Sequence, residues 1–228
     1  YTLFHKANHY CAPQFLEYWS YKHGLPIIGR LWREALKDED AASTYMRITK
    51  TSQEQFNEEI YDAASRFVTW DLPRIKSVCS SYANQHQCKL VKVDAGWYQI
   101  AKEKCPQSYG YNAVRLKVPR SGTEVKLTFE GIAGDKDFYT EAKENAGWRY
   151  GFVAVKQDGK RVYGKMNKAV NGVNQSVKFV VPDSTQFLWL VVTGAPDKHM
   201  AYHKKMEKVA EWPYKIKLEG TFLHATTM

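Results

Sequence analysis

The sequence predicts an α+β protein, with an antiparallel helical subdomain over residues 1–86 and an all-β antiparallel sandwich or jelly roll over residues 87–228. Two observations predict this. Apolar residues recur at helical spacing up to His86 and at strand spacing after it. Charge changes at the same place: the first segment holds 10 Lys+Arg and 10 Asp+Glu, the second 23 and 14, so the second carries the whole net +9. With 228 residues, 44% hydrophobic and 14% aromatic, the chain can bury a core.

Pro13 suits the first turn of a helix, where a missing N–H costs nothing, and Phe15, Leu16, Tyr18 and Trp19 form its apolar stripe. His23-Gly24 closes it and Pro26 opens a second helix with Ile27, Ile28, Leu31, Trp32 and Ala35 inward. Asp38-Glu39-Asp40 reads as an acidic corner. Thr51-Ser52-Gln53-Glu54 has the form of a capping box and starts a third helix, with Phe56, Ile60, Ala63, Ala64 and Phe67 on one face. Asp71-Leu72-Pro73 starts a fourth, with Ile75, Val78 and Tyr82 inward.

Strands follow. Leu90–Val93 and Trp97–Ile100 flank Ala95-Gly96; Val114–Val118 and Val125–Phe129 flank a turn at Pro119–Gly122. Tyr150–Val155 and Arg161–Tyr163 flank Asp158-Gly159, a hairpin signal. Val177–Val181, Phe187–Val192 and Tyr214–Leu218 complete eight or nine short strands, the pattern of a sandwich. Asp197–Glu211 is polar and Lys-rich and reads as a short exposed helix or long loop.

Composition excludes some functions. No uninterrupted apolar run approaches the roughly 18 residues of a membrane span. The basic residues fall singly along strands, as on solvated sheet faces, and no nucleic-acid motif is visible, so nucleic acid is not expected as a partner. The chain starts at Tyr1-Thr2-Leu3-Phe4, without Met, as if inside an element, and we expect a mature or trimmed chain whose N-terminal part is missing. Among the cysteines, Cys79–Cys88 and Cys88–Cys105 are both open as a bridge, as are free thiols, and Cys11 stands apart.

Candidate sites are few. His5 and His9 have the i, i+4 spacing of zinc ligands, but Lys6 stands where a metallopeptidase carries its general-base Glu. His199 and His203 repeat the spacing in a cationic segment, read as solvated. Asp135, Asp137 and Glu141, with Glu144 nearby, supply oxygen ligands of the kind calcium takes. Trp97, Trp148, Tyr150 and Trp212 are candidates for a saccharide-stacking platform, which needs two rings exposed and coplanar; the alternative is core packing. No nucleophile elbow or phosphate loop is present, and no catalytic residue is assigned.

Three runs, Asn8–Tyr18, Ile60–Pro73 and Gly147–Ala154, together with Cys105–Asn112, resemble secreted bacterial virulence and avirulence proteins of the Svx/AvrXca type. The resemblance implies an exported, zinc metallopeptidase-like protein with a His-Glu-x-x-His helix, then helices, then a sandwich. No His-Glu-x-x-His occurs in this chain, so the resemblance places any zinc in the missing N-terminal part and none here. The expected function is therefore the downstream, non-catalytic portion of such a protein, a helical cleft wall plus an accessory sandwich. Its expected partners are the missing part of the same protein and envelope or host material. The rival expectation is a carbohydrate-binding sandwich with a helical adaptor, whose partner is a polysaccharide. Either places the protein outside the cytoplasm, secreted, periplasmic or at the cell surface.

Overall fold

The computed structural model describes residues 13–140, 142–201 and 208–228. Four helices come first: α1 (Pro13–His23), α2 (Pro26–Arg33), α3 (Ala41–Thr49) and α4 (Gln53–Phe67). Ten strands follow: β1 (Leu90–Asp94), β2 (Trp97–Ile100), β3 (Tyr111–Leu116), β4 (Glu124–Gly131), β5 (Gly147–Lys156), β6 (Arg161–Tyr163), β7 (Asn167–Val170), β8 (Gln175–Val180), β9 (Thr185–Gly194) and β10 (Tyr214–Glu219). The mixed α+β class and the mainly β sandwich match the sequence expectation.

The strands form two antiparallel sheets, one ordered β1-β2-β10-β4-β8 and the other β3-β9-β5-β6, with β7 also paired to β5. Their facing sides make the larger core. Leu90, Ile100, Val125, Leu127, Phe129 and Ile216 come from the first sheet, and Val114, Phe152, Leu188, Leu190 and Val192 from the second. The other side of the second sheet is covered by α4, where Tyr61, Ala64 and Val68 meet Ala113, Val153, Val155, Trp189 and Val191. The layers are thus helices, sheet, sheet. That arrangement explains a sequence contrast. β4 faces solvent on one side and alternates in burial, while β5 is buried on both sides and is apolar almost without interruption. Gly159 turns the β5–β6 hairpin with φ +80°, a conformation glycine adopts without strain.

Three local expectations change. The capping box lies one residue later, with Ser52 accepting from the Gln55 N–H and Gln55 accepting from the Ser52 N–H. The acidic corner is an N-cap: Asp40 accepts from Ser43 N and opens α3, a helix that the sequence analysis does not predict. The expected helix after Pro73 is a run of turns ending in a single 3-10 turn at Ser80–Tyr82. Leu72 and Ile75 pack on the helical core, but Val78 and Tyr82 are exposed, so the apolar contact ends before it could hold a longer helix.

The helices have their own core. Phe15, Trp19, Tyr45, Phe56, Ile60 and Phe67 cluster with Tyr109, which lies just before β3, so the two halves share apolar contacts. Trp19 stacks on Tyr45 with centroids 4.3 Å apart.

Candidate functional site

The helical layer carries an open groove of about 800 Å³. One wall is α1, through Tyr18, Tyr21 and Lys22; the other is α4, through Gln55, Glu58, Glu59, Asp62 and Arg66. Residues 55, 58, 59, 62 and 66 fall at three- and four-residue steps, which aligns them along one face of α4. The turn Thr49–Thr51 closes one end, and Lys50 there has a left-handed φ of 58°.

Two polar chains hold these walls. In the first, Lys22 Nζ lies 2.6 Å from Glu59 Oε1, and Tyr45 Oη donates to Glu59 Oε2 at 2.6 Å. His23 Nε2 lies 2.7 Å from Tyr45 Oη; because that hydroxyl already gives its proton to Glu59, the imidazole is the donor. In the second, Tyr18 Oη donates to Asp62 Oδ2 at 2.9 Å and Arg66 Nε donates to the same oxygen at 3.0 Å. The Arg66 guanidinium lies 5.1 Å from the Tyr21 ring centroid and 5.8 Å from that of Tyr163. Burial, reinforced by the neighbouring carboxylates, holds the Tyr18 and Tyr45 hydroxyls far above the usual phenol range. They stay protonated donors. Burial lowers the His23 imidazole from its ordinary value.

Glu59 and Asp62 are each fixed by a cation and a tyrosine. Among the described residues, Lys50 and Glu58 form no ion pair within 4.0 Å, and the charge of Glu58 acts on Arg149. The groove thus has two cross-braced carboxylates and two charged side chains of opposite sign without a close ion pair among the described residues. Tyr21 adds a ring that is 46% exposed.

The candidates from sequence fall elsewhere. Trp148 and Tyr150 point inward from β5 and are fully buried, as is Trp212. Trp148 donates from Nε1 to the Trp212 carbonyl, and Tyr150 stacks on Phe129 at 4.4 Å. Gly131 and Gly194 leave room for the two indoles: a Cβ at either would stand within about 2.2 Å of a ring. These three rings offer a ligand no face, which removes them from the platform. The reason is strand parity, since residues 148, 150, 152 and 154 share the core side of β5. Trp97 alone is partly accessible, on the solvent side of the first sheet, with Lys215 Nζ 4.9 Å from its ring centroid.

In the acidic loop Asp135 Oδ1 accepts from the Asp137 N–H, closing its own turn, and Glu141 lies outside the described residues. His5, His9, Cys11 and His203 lie outside them too. Among the described residues no three His, Cys, Asp or Glu side chains gather as a metal site. His199 is a correction. It is held between Asp40, 3.0 Å from Nε2, and Tyr109 Oη, 2.8 Å from Nδ1, so it fastens its segment to α3 rather than standing in solvent. Cys79, Cys88 and Cys105 are free thiols, and burial pushes Cys88 up to about 12.

The sequence reading passed over the groove. Its signal was present as two polar stripes at helical spacing, Tyr18–Lys22 and Gln55–Arg66. What joins them is the packing of α1 against α4, which spacing does not state.

Several solved structures share a loose likeness to the chain. The C-terminal family 22 carbohydrate binding module of Clostridium thermocellum Xyn10B is 11% identical, with 63% of this chain and 85% of that one covered, at a TM-score of 0.35. The Yersinia pseudotuberculosis-derived mitogen is 9% identical, covering 60% and 88%, at 0.33. A family 16 carbohydrate binding module is 10% identical, covering 59% and 86%, also at 0.33. Likenesses this loose say nothing about a ligand. No curated protein matches the chain. One family model does, over residues 1–225, and the chain belongs to that family: DUF6055, a family of unknown function.

Proposed function

We propose that this protein binds a polysaccharide in the groove between α1 and α4, with the sandwich as its scaffold. The observation that carries the reading is the lining: an exposed tyrosine ring beside three cations and three carboxylates in a pre-set trough. A pyranose presents an apolar face that packs on an aromatic ring, and hydroxyls that both donate and accept. Carboxylates and guanidinium groups answer those hydroxyls in pairs. Because Glu59 and Asp62 are already fixed by neighbours, a ligand orders little on arrival. Equal numbers of cations and carboxylates suit a neutral sugar over a charged one. On this reading the protein works outside the cytoplasm, where such polymers lie.

The test is a glycan array probed with the full chain. Binding to neutral oligosaccharides is expected. It should weaken about tenfold in Tyr21→Ala and in Glu58→Gln, roughly one stacked ring or one charged hydrogen bond each. Trp97→Ala should leave it unchanged. Silence across the array would overturn the proposal, and loss with Trp97→Ala alone would move the site to the sheet.

A second reading keeps the resemblance to Svx/AvrXca-type proteins. In it the groove is one wall of a substrate cleft, and the metal-binding part lies outside this chain. This reading expects an unresponsive glycan array and no stoichiometric zinc on metal analysis of the chain alone.

A further inference from the structure

Residues 222–224 return to pair with the open edge of β3. Leu223 bridges Leu116, the His224 N–H donates to the Arg115 carbonyl at 3.0 Å, and the Lys117 N–H donates to the Phe222 carbonyl at 2.9 Å. Residues directly opposite in an antiparallel pair share a face, and so do alternate residues of one strand. Leu116 and Leu223 point into the core, so Arg115, Lys117, Phe222 and His224 all stand on the outer face of the second sheet. The cover that α4 gives this face reaches Ala113 and fades beyond it. Arg115 and His224 are partly exposed, Lys117 is exposed and Phe222 is 69% exposed.

Three of these side chains are donors. The Arg115 guanidinium lies over the Phe187 ring, 5.0 Å from its centroid, and 6.0 Å from that of Trp189, which holds it by its flat side and leaves its N–H groups for a ligand. His224 Nδ1 accepts from the Thr226 N–H at 3.3 Å, so the ring proton sits on Nε2. Burial, and then the charges of Arg115 and Lys117, lower this imidazole, which is a neutral donor at pH 7. Among the described residues none of the three forms an ion pair, with a side chain or with the chain terminus. The sign of the face is single: residues 111–118, 185–194 and 220–228 hold no Asp or Glu. The carboxylates nearest along the chain are engaged elsewhere, Glu124 by Lys178 at 2.7 Å, Glu219 by Lys126 at 3.0 Å and Asp183 by Lys156 at 2.9 Å.

We propose that Arg115, Lys117 and His224 form a binding site for a phosphate monoester, with Phe222 packing on the group that carries the phosphate. Opposite residues of a strand pair stand about 5 Å apart and alternate residues about 7 Å, so long side chains on this face reach one tetrahedral anion together. The guanidinium offers paired N–H bonds, the ammonium a point charge and the imidazole one neutral donor. Two positive charges suit a phosphate monoester, which carries nearly two negative ones, better than a sulfate ester, which carries one. A nucleic acid fits less well, because its phosphates are singly charged and recur along a track, whereas these donors are confined to one strand pair.

The experiment is titration of the isotope-labelled full chain, followed by amide NMR shifts, with phenyl phosphate, inorganic phosphate and phenyl sulfate. It is run in low salt at about pH 7.5, above the second phosphate ionisation. Phenyl phosphate should give saturable shifts at residues 115–117 and 222–226. Its affinity should fall about tenfold in Arg115→Gln and about fivefold in Lys117→Gln and in His224→Ala. It should bind about threefold tighter than inorganic phosphate, an advantage that Phe222→Ala removes, and about fivefold tighter than phenyl sulfate. Arg115→Gln also loses packing on Phe187; Lys117→Gln changes only an exposed side chain and tests the site without that loss. Absence of saturable shifts, shifts confined to other residues, or an affinity unchanged in Lys117→Gln would overturn the proposal. So would phenyl sulfate binding as tightly as phenyl phosphate, which would assign the face to singly charged oxyanions. None of these outcomes depends on saccharide binding in the groove.

Discussion

Acidification should loosen the helical layer through His86. Its ring sits among Trp70, Tyr111 and Trp189, with centroids 6.1, 5.6 and 6.4 Å away, and Nε2 is 2.9 Å from Tyr111 Oη. Nδ1 is buried without a hydrogen-bond partner among the described residues. Burial alone pushes the imidazole down to about 4 from the ordinary 6.5. The unfolded chain therefore binds this proton more readily than the folded one between those values. Stability is complete above about pH 6.5 and is lost as pH falls through about 4. Each unit of separation corresponds to about 1.4 kcal/mol, so lowering pH from 7 to 5 should cost about 2 kcal/mol and the full effect should approach about 3 kcal/mol. Urea unfolding of the wild type and His86→Gln at the two pH values measures it. The wild type should lose about 2 kcal/mol more than the variant. His23, also lowered by burial, acts in the same direction in both proteins and cancels in the difference. Equal losses in the two proteins would refute the reasoning, as would an NMR titration placing the His86 midpoint near 6.5.

Other outcomes test the fold. Arg149 is 1% exposed, and among the described residues its Nε has no hydrogen-bond partner and its closest carboxylate oxygen, on Glu54, is 4.0 Å away. Arg149→Met should leave stability unchanged or raise it by about 1–3 kcal/mol in urea unfolding, because the apolar side chain escapes the desolvation penalty. Gly131→Ala should cost about 3 kcal/mol or more, read as a lowered Tm, since the new methyl would overlap the Trp148 ring. Ser52→Ala should cost about 1 kcal/mol, as α4 loses half of its capping box.

Much of this architecture is legible in the residues themselves. The proline starts of α1 and α2, the serine cap of α4 and the Asp158-Gly159 hairpin are local, set by φ restriction and by hydrogen bonds a few residues long. Most strands were legible because side chains alternate across a pleat; that β5 and β9 are covered on both faces is what the structure adds. Parity could also have placed Trp148 and Tyr150 inside, since they share the inward register of Phe152 and Ala154. The expected helix after Pro73 failed where a local pattern found no surface to bury its face.

The sequence by itself determined the class and most of the elements, though not α3 or β7, because those follow from backbone restriction and hydrophobic period. Only the tertiary structure decided what lines a surface. Tyr18 and Asp62 are 44 residues apart and meet at 2.9 Å because α1 packs on α4. Asp40 and His199 meet across 159 residues. The exposure of Trp32, expected to point inward, was likewise decided by which side of α2 the core of Trp19, Tyr45 and Phe56 left uncovered. Contacts of that range depend on how helices and sheets stack, and no spacing along the chain records it.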